Sequence, residues 1–156
     1  MAPDVLIVLG SKTDAEVGKK AQAILKEFGI AHEIIVSSAH RTPDELQRIV
    51  KASDAKVFIA IAGLSAALPG TIAAHTIRPV IGVPVSGKLN LDAILSVSQM
   101  PPGVPVAAVG LDRGENAALL AVQVLALGDD GLERKLQEHR EAMRQWVHED
   151  NKSLGE

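Results

Sequence analysis

Apolar residues fall along this chain in short continuous runs separated by stretches of helical period. Val5-Leu6-Ile7-Val8-Leu9 is apolar throughout and of strand length; residues 56–62, apolar after Lys56, and residues 80–85 are runs of the same kind. Such runs predict strands buried on both faces. Residues 31–36 and 106–109 predict two further strands. Between them Val17, Ala21, Ile24, Leu25 and Phe28 recur at helical spacing, and Gly29 supplies the stop. Thr13 with Glu16 reads as the capping box of that helix. A second helix is predicted from Thr42 as N-cap, Pro43 at its first position and Glu45 completing a box, with Leu46, Ile49 and Val50 as its buried stripe. Short helices are expected before His75 and over residues 91–97. A long Ala/Leu helix is expected over 116–127 and a polar one over 131–148, with Leu132, Leu136, Met143 and Val147 on one side. The tail beyond Asp150 is expected to fray.

Strands alternating with helices on short loops predict a parallel sheet covered on both faces. Five strands suggest the order 2-1-3-4-5, in which ligands bind beyond the carboxyl ends of the strands. The loops holding Ser11 and Asp14, Ser38 with His40 and Arg41, Ser65, and Ser86 with Lys88 all follow strands, so all four are expected on one rim. No repeat or linker marks a second domain, and residues 1–156 are read as one catalytic domain.

Composition narrows the function. Aromatics are only 2% of 156 residues, which leaves no ring to sandwich a flavin, since Phe28 and Phe58 are expected in the core and Trp146 is remote. A net charge of −3 gives no basic footprint for nucleic acid. Cysteine is absent, which removes disulfides and thiolate chemistry. Neither a basic leader nor a bilayer-length apolar run is present, so a cytoplasmic protein without membrane partners is expected.

The candidate chemistry centres on Ser38-Ala39-His40-Arg41-Thr42-Pro43. Arg41 can fork onto a phosphate or carboxylate, and His40 can give and take a proton near neutral pH. Alone, such a pair is an ordinary surface feature beside a helix cap; its company on the rim points to a site. Gly10-Ser11-Lys12-Thr13-Asp14 can bind phosphate through amides and hydroxyls, with Asp14 on a sugar hydroxyl. It is neither a Walker loop nor a dinucleotide fingerprint. Gly63-Leu64-Ser65-Ala66-Ala67 lacks the second glycine of a hydrolase elbow. No histidine pair has metal-ligand spacing, so no metal is expected.

Together these loops resemble the N5-carboxyaminoimidazole ribonucleotide mutase family of purine biosynthesis, whose close relatives carboxylate aminoimidazole ribonucleotide directly with CO2. The matching strings are Gly10 to Asp14, Ser38 to Pro43, Ala62-Gly63 with Leu68-Pro69-Gly70, Gly82 to Val85, Gln99-Met100-Pro101 with Gly103, and Asn116 to Leu120. The resemblance implies a flavodoxin-like three-layer sandwich, a homo-octamer whose C-terminal helix packs across subunits, and no cofactor. It implies a ribonucleotide substrate and CO2, with Ser11, Asp14 and Arg41 at the ribose phosphate and Ser38 supporting the pocket. Thr13, Gly63, Ser65 and Leu68 complete the expected contacts, and His40 is the expected general acid/base. Thr13 stands where the family has a second serine, and Ala67 where mutases usually carry a histidine. The pattern Gly63-x-Ser65-x-Ala67-Leu68 is closer to the direct carboxylases, whereas Arg41-Thr42-Pro43 and Gly82 to Val85 follow the mutases. Three readings therefore stand: mutase, direct carboxylase, and a non-catalytic module that binds a phosphorylated ligand.

Overall fold

A computed structural model describes residues 2–154. Met1 and Gly155–Glu156, the ends of the expected 1–156 unit, lie outside the described residues. The strands are β1 (Val5–Leu9), β2 (His32–Val36), β3 (Val57–Ala62), β4 (Val80–Pro84) and β5 (Ala107–Ala108). The helices are α1 (Ala15–Phe28), α2 (Pro43–Ala52), α3 (Leu68–Ala73), α4 (Asn90–Ser98), α5 (Gly114–Ala126) and α6 (Asp130–Ser153). The sheet runs β2-β1-β3-β4-β5 and every pairing is parallel. This is the expected doubly wound order.

Strand alternation divides the core in two. Val5, Ile7 and Leu9 of β1 and Val57, Ile59 and Ile61 of β3 meet α1 and α5 through Val17, Ala21, Leu25, Ala117 and Ala121. Leu6, Val8, Phe58 and Ala60 face the other way, onto Leu46 and Val50 of α2, Leu68 and Ile72 of α3 and Val97 of α4. The central strands are buried at every position, as their uninterrupted apolar runs demand.

Small residues let the layers close. A Cβ added at Gly114 would stand 2.1 Å from the Val17 carbonyl oxygen, so α5 crosses α1 with backbone nearly touching backbone. Gly29 ends α1 at φ 74°, in the left-handed region that glycine adopts without penalty.

Four local expectations are corrected. The capping box lies one step earlier than Thr13 and Glu16: the Ser11 side chain accepts from the Thr13 N–H, and Asp14 accepts from the Ser11 N–H, across a 3-10 turn at Lys12–Asp14. Burial decides this, because Asp14 faces inward and is 5% exposed. Thr42 precedes α2, but its hydroxyl does not cap that helix; it bonds Ser38 instead. β5 is two residues long rather than four, an exposed edge strand entered from Pro105. Finally, α6 continues past His148 to Ser153 without fraying at Asp150.

Candidate active site

Because every strand is parallel, the loops after β1, β2 and β3 leave the sheet at one edge and meet there. They enclose a cavity of about 440 Å³. Every site residue that the resemblance implies lines it: Ser11, Thr13 and Asp14 from the first loop, Ser38, His40 and Arg41 from the second, and Gly63, Ser65 and Leu68 from the third. Gly10, Ala39, Ala62, Leu64, Ala66 and Ala67 complete the wall. The fourth rim loop does not reach it. The Ser86 N–H donates instead to Asp112 Oδ1 at 2.8 Å, tying that loop to the one before α5. His75 lies in a separate cleft with Lys51 and Arg78, and His139 lies against α1.

The first two loops are stitched together through Arg41. Its Nη2 donates to the Gly10 carbonyl at 2.9 Å and its Nε to Ser38 Oγ at 3.2 Å. The Arg41 backbone N–H also donates to Ser38 Oγ, at 3.2 Å. These bonds fix the plane of the guanidinium and leave the rest of its N–H fork for an anion. Asp14 sits beneath, its carboxylate accepting from Ser11 N at 3.0 Å and Thr13 Oγ1 at 3.4 Å. Burial pushes its pKa above the usual aspartate value, against the opposing pull of those two hydrogen bonds and of the Arg41 charge. His40 is exposed in the turn between β2 and α2 and is part of the cavity wall. A cationic fork, a buried carboxyl and a titratable ring around one cavity can hold a phosphorylated sugar and exchange a proton with what it carries.

The third loop supplies shape. Gly63, Ala66 and Ala67 offer backbone and methyl groups, so this side of the cavity is small-walled. Ala66 is buried at φ 58°, in a backbone region that side chains rarely adopt. Ala67 adds no second imidazole, and among the described residues His40 is the one histidine in the cavity wall.

With this geometry in view, relatives are decisive. The model of the AIR carboxylase family matches residues 4–146. The chain belongs to the AIR carboxylase family. A Methanocaldococcus jannaschii relative, N5-carboxyaminoimidazole ribonucleotide mutase, is 54% identical over 153 residues, spanning 97% of this chain and 98% of that one. A Bacillus subtilis protein of the same name is 48% identical over 161 residues, spanning 99% of each. Among solved structures, that of Treponema denticola PurE superposes with a TM-score of 0.88 at 32% identity, covering 97% of this chain and 98% of that one. The S38D form of the same organism's PurE2 gives 0.90 at 31% identity over the whole of both chains.

One feature of the cavity escaped the sequence pattern. Thr42 reads as a helix cap, yet its Oγ1 accepts from the Ser38 N–H at 3.0 Å and donates to the Ser38 carbonyl at 3.2 Å. The pattern Thr-Pro at a helix start carries no sign of this, because the acceptor lies upstream, inside the turn.

Proposed function

We propose that this chain is an N5-carboxyaminoimidazole ribonucleotide mutase of purine biosynthesis, with His40 as its general acid/base. The observation that supports the reading best is the convergence of His40, Arg41 and Asp14 on one cavity, in a chain so similar to named mutases along its full length. Arg41, Ser11 and Thr13 hold the ribose phosphate, Asp14 a ribose hydroxyl, and Ser38 keeps Arg41 in place.

The bond from the substrate's N5 to its carboxylate carbon breaks, releasing CO2, while protonated His40 gives its proton to N5. The CO2 stays beneath the Gly63 to Gly70 loop, where Gly63, Ala66 and Ala67 leave room for it and confinement replaces diffusion. C4 of the electron-rich ring attacks it, forming the new carbon–carbon bond. Neutral His40 then takes the C4 proton, which restores aromaticity and returns the imidazole to its starting state. No proton or electron is gained or lost over the cycle. Acid/base catalysis of this kind contributes about 10²–10⁴-fold.

The loop Gly63-x-Ser65-x-Ala67-Leu68, with no imidazole at Ala67, favours a second reading: direct carboxylation of aminoimidazole ribonucleotide by dissolved CO2. There His40 acts only in removing the C4 proton. Supplying the purified protein with the N5-carbamate and with aminoimidazole ribonucleotide plus CO2, in separate reactions, distinguishes the two. The mutase forms the 4-carboxy nucleotide from the carbamate without added CO2. Product formed only when CO2 is supplied identifies the carboxylase. A nucleotide retained but unaltered under both conditions identifies a binding module and overturns both.

The enzyme acts in the cytoplasm as a homo-octamer. Assembly is supported by apolar side chains facing outward on α4 (Leu91, Leu95) and α6 (Met143, Trp146, Val147), where α6 has no buried residue of its own. No helix among the described residues is long and apolar enough to cross a membrane.

A further inference from the structure

We infer that Thr42, with buried Ser37 behind it, is a positioning residue that sets His40 for proton transfer; the inference rests on the acid/base reading above. His40 lies in a turn that begins at Ser38 and closes at Thr42, where the Thr42 N–H donates to the Ser38 carbonyl at 3.0 Å. A single bond of this kind leaves a turn free to rock. Here the Thr42 hydroxyl closes it twice more, donating to the same carbonyl at 3.2 Å and accepting from the Ser38 N–H at 3.0 Å. Its one proton lies on Ser38 O, so the 3.4 Å contact with Ser37 Oγ is a bond in which Ser37 donates. Ser37 is 3% exposed and its own N–H is held by the Leu9 carbonyl of β1 at 3.0 Å. The chain of bonds therefore runs from the central sheet, through Ser37 and Thr42, to both ends of the His40 turn.

The helix that follows argues for the same role. A threonine at the N-cap position ordinarily accepts from the first-turn N–H groups of its own helix. Thr42 makes no such bond, and α2 begins without a side-chain cap. Its hydroxyl is committed upstream, to the segment that carries His40 and Arg41. Arg41 has separate side-chain restraints on Gly10 and Ser38 Oγ, so the bracket matters most for His40, which depends on the turn for its place.

The test compares Thr42→Val, which keeps the shape and removes the hydroxyl, with Thr42→Ser, which keeps the hydroxyl. A misplacement of about 1 Å can lower a rate about 10²-fold. Thr42→Val is expected to lower kcat by about 10- to 100-fold while KM for the ribonucleotide changes little, because the phosphate clamp has its own supports. Thr42→Ser recovers most of the loss. Ser37→Ala, which removes one link only, gives a smaller fall in kcat and serves if Thr42→Val does not fold. Wild-type kcat in both Thr42→Val and Ser37→Ala, beside an inactive His40→Asn, overturns this inference alone. An effect confined to KM or to thermal stability also overturns it. Normal turnover in His40→Asn overturns the acid/base reading and this inference with it.

Discussion

Asp14 illustrates how a single residue serves fold and site at once. Its carboxylate closes the turn after β1 by accepting from Ser11 N, and the same burial that makes this useful raises its pKa. A carboxyl whose folded pKa lies above the unfolded one contributes stability below the unfolded value and loses it as pH rises through the folded one. Asp14→Asn keeps an acceptor for Ser11 and removes the titration. Wild-type stability relative to Asp14→Asn is therefore expected to fall as pH rises from the ordinary aspartate value of 3.8 toward neutrality. Denaturant midpoints of both proteins across that range check this, and a wild type that gains on the variant contradicts it. The residue scale is also where sequence was least legible. Ser11-x-x-Asp14 and Thr13-x-x-Glu16 are both hydroxyl-x-x-acid patterns, and only the depth of Asp14 in the fold separates the box that forms from the one that does not. Thr42 escaped for a similar reason, since its partner is chosen by the turn and not by the helix pattern.

At the scale of elements, the pattern was legible wherever burial was symmetric. β1, β3 and β4 are covered on both faces, so their apolar runs mark them within a residue or two. β5 pairs with one neighbour and is exposed, so its short apolar run overstates its length. The approach of α5 to α1 was not legible, because Gly114 reads as a loop glycine and its role depends on Val17, far away in the chain. Gly114→Ala puts a methyl group into the Val17 carbonyl, where neither backbone can yield cheaply. Overpacking of a close-packed site costs typically about 1–3 kcal/mol, and at least this loss is expected in denaturant unfolding. Stability equal to wild type would show that α1 and α5 separate more easily than the packing indicates.

At the scale of the molecule, parallel topology does most of the work: it delivers three chemically unrelated loops to one edge, and the site follows from that. This convergence was legible from strand order alone, whereas the exclusion of the Ser86–Lys88 loop was not, since it depends on the Asp112 carboxylate drawing Ser86 away. The outward apolar side chains of α6 belong to this scale too. Lys135 and His139 tie the first half of α6 to the end of α1, while Met143, Trp146 and Val147 beyond them are between 42% and 58% exposed. Trp146→Glu is accordingly expected to weaken the proposed octamer in sedimentation while leaving the fold of each chain intact; an unchanged assembly would place the contact elsewhere.

One imidazole carries the proposed chemistry, and the most direct measurement is carbamate turnover by His40→Asn alongside calorimetric titration of the same variant with the ribonucleotide. Turnover reduced by about 10² or more, with affinity for the nucleotide close to that of wild type, is the predicted result. Turnover at the wild-type rate contradicts it.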